Sequence, residues 1–345
     1  MQNIQLGAIS KLIIHNVGNK ANDEGTHFAD SMTDFVNIEE EVGQLIANNF
    51  KFDELFNFHF VPTLDLNPVY QFVKTIFKEN SSFIDQSRNC ARYLYDKSSH
   101  PKIKGGEFCM VYIRNCQVNE VTADALAFIK SENKETILKV TPSGNGFDMH
   151  TEKGININKL DKGCLIFNID PEKGFVAAIV DQTNRSAEAQ YWREEFFNLK
   201  VINNEFHQTN EFLSITKKFV TSQLPEDFEV TKTEQIGFLN RSVDYFKTHE
   251  TFDKQGFEQE VFADGNVIES FRKFDNSYRV DNELELADSF EISDRAVKKQ
   301  AKVFKNVLKL DRNFDIYIKG NRKLIEQGIE LDGRKFYKIY YDVES

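Results

Sequence analysis

The sequence contains little proline, tryptophan or cysteine, with six Pro, one Trp and four Cys among 345 residues. Scarce proline permits long, uninterrupted helices and strands. The four cysteines, Cys90, Cys109, Cys116 and Cys164, form no CxxC pair and have no matching histidine spacing. This arrangement argues against a zinc site or a disulfide framework. We therefore expect free, buried thiols, and we expect neither a metal nor a cofactor.

Long apolar runs are absent as well. No stretch of about 18 or more apolar residues occurs, and a segment of that length is needed to span a bilayer. The opening residues, MQNIQLGAISKLIIHN, lack the basic stretch, apolar stretch and small-residue cleavage site of a secretory signal. We expect a cytoplasmic protein that does not contact a membrane.

Sequence motifs for catalysis are also missing, including the phosphate-binding GxxxxGK[ST], the zinc-binding HExxH and the nucleophilic GxSxG. One enzyme hypothesis is a metal-dependent nuclease built on Asp124, Glu132 and Lys134. Such an enzyme places two carboxylates on a divalent ion and a lysine near the attacking water. However, the polar segment 131–134 is typical of a hairpin tip, where charged residues serve solvation alone. We expect no enzymatic activity.

The first half of the chain shows helical and then strand periodicity. An opening strand is predicted at 4–14, and apolar spacing predicts helices near 38–49, from Asn67-Pro68, and from Ser81 or Ser82 to about Lys97. Short apolar runs then follow the Gly105-Gly106 pair: EFCMVYIRNC, TADALAFIK, ETILKV, ININ, GCLIFNID and GFVAAIVD. Such runs, separated by tight turns, predict an antiparallel meander. We assign residues 1–187 to one α+β domain.

Helical patterns dominate the second half, and we assign residues 188–345 to a mainly helical domain. Ser293 is expected to begin a helix that runs from Asp294 to Leu308, followed by short strands near Phe314–Ile318 and Lys335–Tyr341. The predicted fold class is therefore α+β. It consists of N-terminal helices packed with an antiparallel sheet, then a helical domain that ends in a small basic α/β module.

Charge is distributed unevenly along the chain. The net charge is −11, yet residues 295–338 hold thirteen Lys and Arg against five Asp and Glu. The first 294 residues consequently carry a net charge of −17. An acidic body of this kind repels a polyanion, so only the basic end is a good candidate for contact with nucleic acid.

The basic end offers a row of cations on the predicted helix and an alternation of bases with aromatics in RKFYKIYY. A row of cations binds phosphates without reading sequence, and aromatics among bases can stack on nucleobases. The expected DNA-binding residues are Arg295, Lys298, Lys299, Lys302, Lys305, Lys309, Arg322, Lys323, Arg334, Lys335 and Lys338. The alternative is a solvated helix beside a strand whose aromatics pack across a sheet. Part of this face could also dock on the acidic body.

Several segments, in order along nearly the whole chain, resemble the NdpA-type family of bacterial nucleoid-associated proteins. These segments are IQLGAISKLIIHNVG, GGEFCMVYI, GININKLDKGCLIFNID, YWREEFFNL, TNEFLSITKKF and FDIYIKG with GIELDGRKFYKIYYD. The resemblance implies a cytoplasmic, nucleoid-bound protein with a role in chromosome organisation, and it carries over no catalytic residue. The acidity leaves open a protein that reaches the nucleoid through a DNA-processing partner without binding DNA itself. A homodimer, paired through the Phe-rich helices of the second half, is a further hypothesis.

Overall fold

The structure is a computed structural model that describes residues 4–182, 191–304, 307–310, 313–317, 324–330 and 332–343. The chain divides into two compact units, Met1–Ile202 and Asn203–Ser345. Within the residues so described, no helix combines the length and the apolarity that crossing a membrane requires.

Unit 1 is built on an antiparallel sheet. The strands of this sheet are β1 (Ile4–Gln5), β2 (Ala8–Val17), β3 (Thr26–His27), β4 (Phe56–Phe58), β5 (Gly106–Val118), β6 (Val121–Ser131), β9 (Lys162–Phe167), β10 (Val176–Asp181) and β11 (Leu199–Val201). Their order is β11-β4-β10-β9-β6-β5-β2-β3, and β1 also pairs with β5. Two further strands, β7 (Glu135–Ser143) and β8 (Gly146–Gly154), pair with each other in a separate sheet.

Helices cover both faces of the large sheet. They are α1 (Glu39–Asn49), α2 (Pro68–Lys78) and α3 (Phe83–Lys97). A π-helical segment at Tyr191–Phe197 packs with them. Helices α2 and α3 and the π-helical segment pack on one face, and α1 packs on the other. The double cover explains why β5 is apolar on both faces, because alternate side chains enter opposite cores.

Unit 2 is mainly helical. Its helices are α4 (Glu205–Lys218), α5 (Leu224–Asp227), α6 (Lys232–Thr248), α7 (Lys254–Val261), α8 (Gly265–Asp281) and α9 (Asp294–Ala301), with a π-helical segment at Phe219–Gln223. Among its described residues, the strands form three antiparallel pairs: β12 (Thr251–Asp253) with β13 (Ser289–Glu291), β14 (Val307–Leu310) with β15 (Phe314–Tyr317), and β16 (Ile325–Ile329) with β17 (Lys335–Ile339).

Much of the phenylalanine surplus lies in the core of unit 2. The ring centroids of Phe212 and Phe252 are 4.3 Å apart, and those of Phe252 and Phe290 are 4.6 Å apart. Such aromatic pairs add stabilisation beyond the area they bury. Short helices can therefore pack into one core without a large sheet beneath them.

The predicted α+β fold class is confirmed, and so are the three N-terminal helices. The Asn67 side chain caps α2 as expected, because its Oδ1 accepts a hydrogen bond from the Tyr70 backbone N–H at 3.0 Å. All four cysteines are free and buried, as predicted. The predicted antiparallel meander is present in β5, β6, β9 and β10, but the ETILKV segment does not belong to it, because β6 pairs with β9 and β7 pairs with β8 outside this sheet.

Candidate nucleic-acid interface

Helix α9 is held on α4 by a buried amide. The Gln300 side chain donates hydrogen bonds to Asn210 Oδ1 at 2.8 Å and to Ser214 Oγ at 3.0 Å. Ala296 and Val297 are buried beside it. A buried amide accepts few alternative partners, so these contacts fix which face of α9 is exposed.

The exposed face of α9 carries the predicted cations. Lys298, Lys299 and Lys302 are all exposed, and Arg295 is half-buried. The Arg295 guanidinium lies 4.5 Å from the centroid of the Phe206 ring, and the Lys299 ammonium lies 5.3 Å from it. Contact between a cation and an aromatic face is favourable. The buried ring therefore orders two of the four charges while leaving them at the surface.

The basic helix is shorter than predicted. It ends at Ala301, with Lys302 at the C-cap, and Val307–Leu310 forms strand β14. The predicted extension to Leu308 is wrong, because the segment after Lys302 is rich in β-branched and aromatic residues, which favour strands. Lys309 therefore lies on a strand, in register with Asp315, and not on the helical face. Lys305 lies outside the described residues.

Sequence reasoning missed a pair of lysines at the end of α4. Lys217 and Lys218 occupy the last turn of α4, one turn beyond Ser214. Lysines in the last turn also interact favourably with the negative end of the helix dipole. The TKK run, inside the helical pattern of the second half, was the signal that could have indicated them.

The β16–β17 hairpin carries the remaining described cations. Arg334 Nε donates to Asp332 Oδ2 at 2.6 Å, and Lys338 Nζ lies 3.9 Å from Glu326 Oε2. A hydrogen bond to Tyr340 and the charges of Tyr340 and Glu326 raise the pKa of Lys338. Lys335 is exposed. Two of these three predicted cations thus have an acidic partner, whereas Arg322 and Lys323 fall outside the part of the chain that the structure describes.

The aromatics of this hairpin divide between packing and exposure. Tyr337 and Ile325 pack on Ile236 of α6. Phe336 lies over Gly328, where an added Cβ would come within 2.4 Å of the ring. A groove of about 480 Å³ runs between the start of α6 and this hairpin, with Lys335 on its wall. The packing alternative therefore describes Tyr337, while Phe336 keeps a partly exposed ring.

The three residues of the nuclease hypothesis do not meet. Asp124 lies near the start of β6, where it accepts hydrogen bonds from Tyr112 Oη at 2.7 Å and the Asn115 backbone N–H at 3.0 Å. Glu132 follows the other end of the same strand, eight residues or roughly 26 Å away at the usual rise. Lys134 pairs with Glu107 at 2.5 Å. No common metal site results from this placement.

Glu132 is not at a solvated hairpin tip, and that prediction is wrong. Its side chain is 3% exposed and lies 3.2 Å from the buried ammonium of Lys130. The Tyr191 hydroxyl donates to Glu132 Oε1 at 3.2 Å, and Lys130 Nζ donates to the Lys104 carbonyl at 2.6 Å. A buried lysine needs both a counter-charge and acceptors. Glu132 therefore completes a structural ion pair.

A buried Ser–His pair, which the sequence did not indicate, joins β2 to α3. The His15 Nδ1 accepts a hydrogen bond from the Ala29 backbone N–H at 3.1 Å, so the ring proton resides on Nε2. Nε2 lies 3.0 Å from Ser87 Oγ, and Ser87 donates its own proton to the Ile84 carbonyl at 2.7 Å. The imidazole thus donates to Ser87 and is not oriented to remove its proton. This pair ties two elements together and is not a nucleophilic site.

Comparison with known proteins identifies one family. The family model described as nucleoid-associated protein YejK matches residues 13–334. The match therefore includes most of the large sheet of unit 1, from within β2 onward, and the basic helix α9 of unit 2. A search of curated proteins finds no significant match.

Proposed function

The chain belongs to the nucleoid-associated protein YejK family, and from that premise we propose that it binds DNA directly through its basic C-terminal face. The observation that carries this proposal is the exposed row Lys298, Lys299 and Lys302 on a helix whose opposite side is fixed by Gln300. We further propose that the protein acts in the cytoplasm, on the nucleoid, and without enzymatic activity.

The chemistry of this face favours phosphate contacts over base reading. Lysine ammonium groups are mobile point charges that neutralise phosphates and release condensed counterions. Binding of this type is salt-dependent and largely independent of sequence. The net charge of −17 on the first 294 residues repels a duplex, which confines the contact to the basic end.

A salt titration of DNA binding tests the proposal. The triple variant Lys298→Glu/Lys299→Glu/Lys302→Glu is compared with the wild type on a duplex of arbitrary sequence. Each phosphate contact contributes about 0.9 to the slope of log affinity against log salt, so we expect the slope to fall by about 2 to 3. Fluorescence anisotropy between about 50 and 200 mM salt measures that slope.

A matched control separates the position of the charges from the net charge. Lys173, Lys247 and Lys273 are exposed, and none of them belongs to α9. Their triple reversal to glutamate changes the net charge by the same amount and should lower the slope far less. Equal losses in both triple variants would contradict a localised contact.

The rival function is binding to a DNA-processing protein. The observation that favours it is the acidity of the first 294 residues, which suits a basic protein surface better than a duplex. In that case the wild type would show no retention on DNA and a slope near zero. The same titration therefore decides between the two functions.

A further inference from the structure

The β7–β8 hairpin is a long two-stranded ribbon inserted between β6 and β9 of the large sheet. Each of its strands has nine residues, joined by the turn Gly144-Asn145, where Gly144 has a φ of +56°. Its register runs from Glu135 opposite Gly154 to Ser143 opposite Gly146. In the described structure these strands pair only with each other. An isolated two-stranded ribbon is marginally stable in water unless a face is covered.

The two faces of this ribbon differ in chemistry. Residues that are directly opposite share a face, so Leu138, Val140, Pro142, Phe147 and Met149 all lie on one side. The other side carries the ion pair Lys139–Glu152 at 2.9 Å, beside His150. An amphipathic strand pattern of this kind normally marks a sheet with one buried face.

The apolar face is nevertheless exposed. Leu138 is 64% exposed, Val140 53%, Phe147 76% and Met149 66%, and none belongs to a hydrophobic core of unit 1. Together these side chains present roughly 500 Å² of apolar surface, which is the size of the largest apolar patch on a typical monomer, and such patches are often functional. Two such faces together would bury about 1,000 Å², the lower bound for a specific interface.

The charge of the ribbon limits what can cover this face. Residues 135–154 carry three acids, Glu135, Asp148 and Glu152, against Lys139 and Lys153, a net charge of −1. Of the two lysines, only Lys153 is on the apolar side, at the base of the ribbon beside Thr136. A face without a cation row offers nothing to phosphates of DNA or of an anionic membrane. The apolar face of the same hairpin in a second copy of the chain is chemically suited to bind this face.

We propose that two copies of this chain associate through the apolar faces of their β7–β8 hairpins. A two-fold axis through the faces would bring Leu138 and Val140 of one copy near Met149 and Phe147 of the other. The two ribbons then form a small sandwich, with each sheet supplying the layer that the other lacks. This dimer is independent of the proposed DNA contact.

Sedimentation of the full chain tests the dimer. Between about 1 and 100 µM, we expect the weight-average mass to rise from the monomer value of 40.0 kDa toward twice that value. Leu138→Lys places a charge in the centre of the interface and should raise the dimer dissociation constant at least about 10-fold. A wild type that stays monomeric over this range overturns the proposal.

Ile137→Lys is the matched control. Ile137 is adjacent to Leu138 and is 52% exposed, but its side chain lies on the opposite face, across from Glu152. This substitution adds the same charge to the same strand, and it should change the dissociation constant by less than about 3-fold. Equal effects of the two substitutions would contradict a contact through the apolar face. Fluorescence of Trp192, which is buried in the core of unit 1, verifies that both variants fold.

Vesicle flotation tests whether a lipid surface, instead of a second copy of the chain, covers the apolar face. Zwitterionic vesicles and vesicles with anionic lipid are each mixed with the wild type and with Leu138→Lys. We expect no flotation of either protein. Flotation of the wild type that Leu138→Lys abolishes would assign the face to a lipid surface and would overturn the dimer.

Discussion

At the scale of single residues, His15 makes the stability of unit 1 depend on pH. Burial, followed by the nearby charges of Arg88 and His27, lowers its pKa from 6.5 to about 4. Between these values the unfolded chain binds a proton that the folded chain does not, so stability falls as pH decreases from about 6.5 toward 4. Lowering the pH from 7 to 5 should reduce the free energy of unfolding of the wild type by about 2 kcal/mol more than that of His15→Asn.

Urea unfolding followed by Trp192 fluorescence measures this difference. Trp192 is the one tryptophan of the chain and is buried in the same core that contacts His15 through Phe108. His59→Asn, at an exposed position, is the control and should retain the wild-type dependence on pH. A His15→Asn variant that loses as much stability as the wild type would show that His15 is not the responsible group.

Single residues also show where sequence reasoning stops. The free, buried state of the cysteines followed from the absence of partners at ligand spacing. The burial of Lys130 and Glu132 did not, because both side chains form hydrogen bonds with Tyr191, which is 59 residues from Glu132. The Ser87–His15 bond spans 72 residues. Local patterns contain no information on contacts of this range.

At the scale of elements, the Gly105-Gly106 pair illustrates a glycine required by strand packing. A Cβ at Gly106 would lie 1.9 Å from the Ser131 carbonyl oxygen of the paired strand. Gly106→Ala should therefore destabilise unit 1 by about 3 kcal/mol, since backbone atoms must shift. Gly43, inside α1, has open space around it, and Gly43→Ala should stabilise by about 0.5–1 kcal/mol. Urea unfolding followed by Trp192 fluorescence compares both variants, and a harmless Gly106→Ala would contradict the packing argument.

Helices were predicted better than strands because their signals are local. Helix α2 begins at Pro68 behind its Asn67 cap, as the sequence indicates. Strand β8 was missed because Asp148, Glu152 and Lys153 have low strand propensity, although Phe147 and Met149 alternate with polar residues. The end of α9 was misplaced because Val297, Phe304, Val307 and Leu308 recur at helical spacing, whereas pairing with β15 determines β14. Pairing between strands is a tertiary effect that overrides local preference.

At the scale of the whole molecule, the uneven charge and the amphipathic hairpin belong to different units. The cations of α9 are in unit 2, and the hairpin is in unit 1. The charge distribution could be derived from the sequence alone. The exposed apolar face could not, because exposure becomes evident only when the partners of β6 and β9 are known. If both proposals hold, a dimer presents two DNA-binding faces.

A dimer with two DNA-binding faces should bridge separate duplexes, because linked sites add avidity without new contacts. A biotinylated duplex and a fluorescent duplex are mixed with the protein, and fluorescence retained on streptavidin beads measures bridging. We expect the wild type and Ile137→Lys to retain the fluorescent duplex, while Leu138→Lys binds DNA with an unchanged salt slope but retains little. Bridging by Leu138→Lys would show that DNA bridging does not require the hairpin interface. We expect the triple variant at Lys298, Lys299 and Lys302 to lose both DNA binding and bridging. If it still forms the dimer in sedimentation, the two surfaces act independently.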